Sequence, residues 1–112
     1  MLFRSGPVST ADQPPPITVG RVVHYCMSET DCADVKHQRL LNGQTSNDGT
    51  VGNEPHPGSV YPAIVVAVWS ATGANLKVLL DGPDEYWATS RLLDESVGDE
   101  PMQGSWRWPT RT

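Results

Sequence analysis

The 112-residue sequence predicts an all-β domain, a small antiparallel barrel or a strongly bent five-stranded sheet, with an extended Pro-rich N-terminal arm and one long early loop. Three observations predict it. β-Branched and aromatic residues gather in five short runs, and Gly, Pro, Asn and Asp separate those runs. Their order is a strand, a long loop, a strand, a hairpin partner, a further strand and a short final one, which suits a small barrel. No heptads and no internal repeat are present.

The arm spans residues 1–17 and holds four of the ten prolines, including Pro14-Pro15-Pro16. Such a composition favours extended, polyproline-like chain that is mobile when free, and in a subunit of an assembly the arm would lie on a neighbour. The remaining residues, 18–112, form one domain. Its first strand is Val19 to Met27, β-branched and aromatic with partial alternation. Residues 29–58 then read as a long surface loop with turn signals at Asn42-Gly43, Asn47-Asp48-Gly49 and Gly52-Asn53. Connections without structure seldom exceed about 12–15 residues, so this loop is expected to be a lid or to be ordered by a partner, with Ala33 to Leu41 supplying one short helix.

The strongest hydrophobic run is Tyr61 to Trp69, whose β-branched Ile64, Val65, Val66 and Val68 specify a strand. The turn Ser70 to Gly73 leads into Leu76 to Asp81 as its hairpin partner. Gly82-Pro83-Asp84 turns the chain again. Tyr86 to Leu93 follows as a strand, the alternative being a helix opened by Pro83-Asp84-Glu85. Asp94 to Gly104 is an acidic loop. In the closing Gly104 to Pro109, Trp106 and Trp108 alternate with Arg107, so both indoles share one face of an extended segment. This order resembles a Tudor-like or Src-homology-type small barrel.

Composition excludes several functions. Eight Lys and Arg against thirteen Asp and Glu leave a charge of -5, which argues against a phosphate-tracking surface and hence against nucleic acid. The longest apolar stretch, Ala63 to Trp69, is seven residues, far short of the about 20 that cross a bilayer, so no membrane partner is expected. Met1-Leu2-Phe3 opens no apolar signal core, which points to the cytoplasm, or to the virion if the chain is a particle component. Cys26 and Cys32 are then expected as free thiols, a disulfide between them being the alternative.

Residue chemistry points to binding rather than catalysis. His24, Cys26, Cys32 and His37 spell His-x-Cys-x5-Cys-x4-His, which fits no standard zinc unit, so no metal or other cofactor is expected. Asp81, Asp84 and Glu85 are explained by turn propensity. Gly-x-Ser-x-Gly, His-Glu-x-x-His and the phosphate-binding Gly-rich loop are all missing from the sequence, so no enzyme is expected. The four tryptophans are the most informative feature. They fill the core and staple the C-terminal segment, or Trp87, Trp106, Arg107 and Trp108 form a contact patch. Trp87, Arg91, Tyr25 and His24 are the candidates to line a concave pocket.

Gly20-Arg21-Val22-Val23-His24-Tyr25, Tyr61 to Trp69, and Gly104-Ser105-Trp106-Arg107-Trp108-Pro109 together resemble a group of small all-β proteins of actinobacteria and their tailed bacteriophages. The resemblance covers residues 19–27 and 59–109, and the Gly-x-Trp-x-Trp-Pro ending carries most of it. It implies a compact β protein of phage origin with no catalytic residues to carry over. The expected function is a non-enzymatic interaction protein docking on a larger assembly, such as a capsid decoration or tail component. Its partners would be capsid or tail subunits, or further copies of itself. The rival expectation is a soluble module that captures a small molecule or a host protein.

Overall fold

A computed structural model describes residues 15–43 and 52–109. Its elements are β1 (Val22–Cys26), α1 (Glu29–Leu41), β2 (Val60–Val68), β3 (Gly73–Leu79), β4 (Glu85–Leu93) and β5 (Ser105–Arg107). The five strands close into a barrel in the order β1-β2-β3-β4-β5. The expected all-β barrel is therefore present, with one helix inserted between β1 and β2.

Alternation along the strands builds the core. Val23 and Tyr25 of β1, Ala63 and Val65 of β2, Leu76 and Val78 of β3, and Tyr86 and Ala88 of β4 are buried in the core, while their neighbours, apart from the buried Cys26 and Asn75, are partly or fully exposed. Pro62 is accommodated by register. The bonds Met27 N–H to Ser59 O and Val65 N–H to Arg21 O put the hydrogen-bonded pairs of β1 and β2 at odd positions, so His24↔Pro62 is a non-bonded pair. On its other side the β2–β3 ladder begins at Ala63↔Val78, so the missing N–H breaks no bond there.

Closing five strands requires sharp bends, which two bulges provide. One lies between Val65 and Ala67 of β2, the other between Ala74 and Leu76 of β3. At the second, Ser90 adopts a left-handed φ of 56°, and its N–H donates to Asn75 Oδ1 at 2.7 Å. The same oxygen accepts the Trp69 indole N–H at 2.8 Å, so one buried amide holds both the bulge and the β2–β3 turn.

The final strand departs from the antiparallel expectation. β5 runs antiparallel to β1 but parallel to β4, because the 94–104 segment crosses the barrel end instead of turning back as a hairpin. Trp106 is 1% exposed, and its indole N–H donates to Thr72 O at 3.2 Å. Trp108 meets it edge-on with ring centroids 5.4 Å apart, and the Arg21 guanidinium lies 5.7 Å from the Trp108 ring.

The helix is longer than the sequence predicts, beginning at Glu29 instead of Ala33. Ser28 caps it: its hydroxyl accepts from Asp31 N–H at 3.1 Å and its own N–H donates to Asp31 Oδ2 at 2.9 Å, a reciprocal capping box. The first thirteen residues of the expected loop are thus helix, and its portion 44–51 lies outside the described residues. Most of the Pro-rich arm, 1–14, also lies outside them, but Ile17 at its end is buried in the core and belongs to the barrel.

A strap at residues 52–55 holds the β3–β4 turn. Asn53 N–H donates to Asp81 O at 2.9 Å, and Arg39 of α1 pairs with Asp84 at 2.8 Å and 3.1 Å. Gly52 passes so close that a Cβ there would lie 1.5 Å from Asp81 O, a clash with backbone that cannot step aside. Gly52→Ala is therefore expected to lift the strap and cost about 1–3 kcal/mol. Thermal unfolding should show a Tm lowered by about 5–10 °C, and an unchanged Tm would contradict this contact.

Candidate functional site

Asp31 is the centre of the site. The capping box fixes it at the third residue of α1 and turns its carboxylate under the helix, where it is fully buried. Three donors converge on it, and the Tyr86 hydroxyl approaches as a fourth polar group. Tyr25 Oη–H reaches Oδ2 at 2.5 Å, Ser28 N–H the same oxygen, Arg91 Nη2 reaches Oδ1 at 2.7 Å, and Tyr86 Oη lies 3.1 Å from Oδ1. A buried carboxylate thereby ties the helix to both β1 and β4.

Tyr86 links this hub to a groove. Its hydroxyl is also 2.9 Å from Asp34 Oδ2, one helical turn along α1. A phenol has one proton to give. Asp31 already holds three other donors, so that proton serves Asp34. The groove lies between α1 and β4, is open to solvent, has a volume of about 630 Å³, and is walled by Asp34, His37, Leu41, Trp87, Thr89 and Arg91. Leu41 is 73% exposed and Trp87 57% exposed, so both offer apolar surface to whatever enters.

Arg91 lies across the floor. Its guanidinium sits 5.8 Å from the Tyr25 ring and pairs with Asp31, yet its buried Nε has no hydrogen-bond partner among the described residues. Leaving such a donor unpaired costs about 1–3 kcal/mol.

A second buried carboxylate anchors the 94–104 loop. Asp94 accepts from Ser96 N–H at 2.9 Å, Ser96 Oγ–H at 2.6 Å, Met102 N–H at 2.7 Å and Arg107 Nε at 2.7 Å. Arg107 is consumed by this cluster, also donating to Ser96 Oγ and Glu100 O.

Every resolved titration shift moves away from neutrality. Burial raises Tyr25 and Tyr86 well above the ordinary phenol range, and their bonds to Asp31 and Asp34 add to it. Burial alone would also raise Asp31 and Asp94. The Tyr25 and Ser28 bonds overcome it at Asp31, and the Ser96, Met102 and Arg107 bonds overcome it at Asp94, so both carboxyls lie below their usual range. The Arg39 hydrogen bond lowers Asp84 likewise. Burial pushes the Cys26 and Cys32 thiols up, helped by Asp94 at the first and Asp31 at the second.

These directions set the pH dependence of stability. Depressed carboxyls contribute while ionised, and that contribution disappears as pH falls below the unfolded value of about 3.9. Raised phenols contribute while protonated, and theirs is lost as pH rises past the unfolded value of about 10. The raised Cys26 and Cys32 thiols lose theirs earlier, past an unfolded value of about 8.5, so urea midpoints are expected to be level between about pH 5 and 7.5 and to fall outside that window. Asp94→Asn should flatten the acid limb, and an acid limb of unchanged slope in that variant would contradict the assignment.

The sequence-derived candidates separate into two places. Trp87 and Arg91 line the groove, and Tyr25 lies buried beneath it, bonded to Asp31. Trp106 is core, Trp108 packs against it, and Arg107 is tied into the Asp94 cluster. His24 is half-buried on β1 and pairs in register with Pro62 and Arg107. The thiols of Cys26 and Cys32 are free, and among the described residues no three metal-ligating side chains converge. Asp31 and Asp34 were not among the candidates, although Ser28-x-x-Asp31 is a capping pattern that marks a helix start there.

Fold and site together define a small closed β-barrel with a helix docked on it by a buried carboxylate. No protein-family model, curated protein or solved structure matches the chain.

Proposed function

We propose that the protein is a non-enzymatic interaction module that receives a protein partner in the groove between α1 and β4. The observation that carries this reading is the pairing of exposed Trp87 and Leu41 above a floor fixed by Asp31. Tryptophan presented on rigid backbone is the commonest anchor of protein interfaces. The opening of the groove to solvent favours a chain segment over a small molecule, since ligand pockets enclose about 70–90% of what they hold. The chemistry of the buried groups suits binding. General acids and bases work with values near the operating pH, whereas the shifted groups here move away from it, and both thiols are driven away from the reactive thiolate.

Native mass spectrometry of the protein taken directly from the cells that make it tests the reading. An added mass of protein size supports it. A bare monomer, or a monomer carrying only a nucleotide-sized adduct, overturns it, the latter in favour of small-molecule capture. The larger assembly implied by the Gly104 to Pro109 resemblance is a tailed-phage particle. Recovery of the chain in stoichiometric amount from purified particles supports that assembly, and its absence from them removes it.

A further inference from the structure

We infer that the groove takes a lysine- or arginine-bearing segment of the partner, its cationic head on Asp34 and its aliphatic stem against Trp87 and Leu41. The inference rests on the interaction reading above and names the chemistry of the occupant.

Charge bookkeeping inside the groove leads to it. Two carboxylates, Asp31 and Asp34, meet at Tyr86, but the single guanidinium at the site, Arg91, is 2.7 Å from Asp31 and bonded there. Among the described residues no cation lies within ion-pair distance of Asp34. Asp34 is nevertheless oriented, because the Tyr86 hydroxyl donates to its Oδ2 at 2.9 Å, and among the described residues its other oxygen has no donor. An exposed carboxylate pointed in one direction by a buried phenol suits a cationic donor. The neighbouring walls are apolar where a lysine or arginine stem would lie, and such stems bury their methylenes while the charge stays at the polar end. The indole of Trp87 adds attraction for the cation itself.

Arg91 completes the fit. Among the described residues only its Nη2 is hydrogen-bonded; Nε is buried, so it is the Nη1 N–H groups that a backbone carbonyl of the same segment would meet. An acidic side chain would also meet Arg91, but only by approaching Asp31 and Asp34. The chain's charge of -5 steers a basic partner toward the surface and an acidic one away.

The test uses the full chain, ¹⁵N-labelled, titrated with capped tripeptides that differ only in a central lysine, arginine, norleucine or glutamate. Lysine and arginine peptides are expected to shift the Trp87 indole N–H and the Thr89 and Arg91 amides, with affinity at least about tenfold above norleucine. Asp34→Asn, which keeps an acceptor for Tyr86 at an exposed position, should reduce the lysine and arginine affinities five- to tenfold and leave norleucine unchanged. Equal binding of lysine and norleucine, preference for glutamate, an unaltered affinity in Asp34→Asn, or no shift at the groove at millimolar peptide would each overturn the inference. A protein-sized added mass in native mass spectrometry together with a negative peptide titration would leave the interaction module standing and remove the basic occupant alone.

Discussion

Asp31→Ala is expected to lower the urea midpoint by about 2 M, the equivalent of about 3–5 kcal/mol. The magnitude follows from what the substitution leaves behind. Arg91 keeps a charge whose partner has gone, the Tyr25 hydroxyl loses its buried acceptor, and the Ser28 N–H loses its partner in the capping box. Removing one member of a buried ion pair costs more than the pair contributes, because the remaining charge stays desolvated. Against a total stability of about 5–15 kcal/mol, this consumes a large share. Asp31→Asn keeps an acceptor oxygen and should lose less. A loss under about 1 kcal/mol in Asp31→Ala would show that α1 is held to the barrel by packing, with the carboxylate a bystander.

Trp106→Ala is the second large effect, about 3–5 kcal/mol. The indole is the largest fully buried side chain, it supports Trp108 edge-on, and its N–H is bonded to Thr72 O. β5 has only three residues, so the strand that closes the barrel depends on this side chain more than on its ladder. Trp87→Ala is the matched control. Its indole is more than half exposed, and truncation there should stay within about 0.5 kcal/mol. Guanidinium or urea melts of the two variants check the contrast, and equal losses would contradict the division of the tryptophans into staple and contact.

The strands were legible because their evidence is local. Val22-Val23, Ile64 to Val68 and Leu76 to Leu80 carry β-branched and aliphatic residues between turn formers, and the observed strands fall on them within a few residues. Alternation also set Trp106 and Trp108 on one face, and they do touch. Two features were hidden. The start of α1 depends on Ser28 and Asp31, polar residues without a hydrophobic signature, so an apolar pattern finds only the end of the helix. The parallel pairing of β5 with β4 depends on the path of the 94–104 segment across the barrel end, which no local pattern encodes.

The site was partly legible for the same reason. Trp87 and Arg91 stand out by residue type, and the groove includes both. Arg107 and Trp106 stand out equally, yet long-range partners consume them: Asp94 is thirteen residues from Arg107, and Thr72 is thirty-four from Trp106. Asp31 and Asp34 were invisible because acidic residues early in a helix are ordinary. What distinguishes them is the approach of Tyr25, Tyr86 and Arg91 from distant strands.

The central claim is that the α1–β4 groove, with Trp87 at its lip, is where a partner binds. The most direct measurement inserts a photo-crosslinking amino acid at Thr89 in the groove, in the cells that make the protein, with and without Trp87→Ala. The control position is Val97, fully exposed in the 94–104 loop and outside the groove lining. The expected result is one crosslinked protein from position 89, weaker by about tenfold with Trp87→Ala at an unchanged urea midpoint, and none from position 97. A crosslink from position 97 alone, or one from position 89 that is indifferent to Trp87→Ala, would contradict the claim.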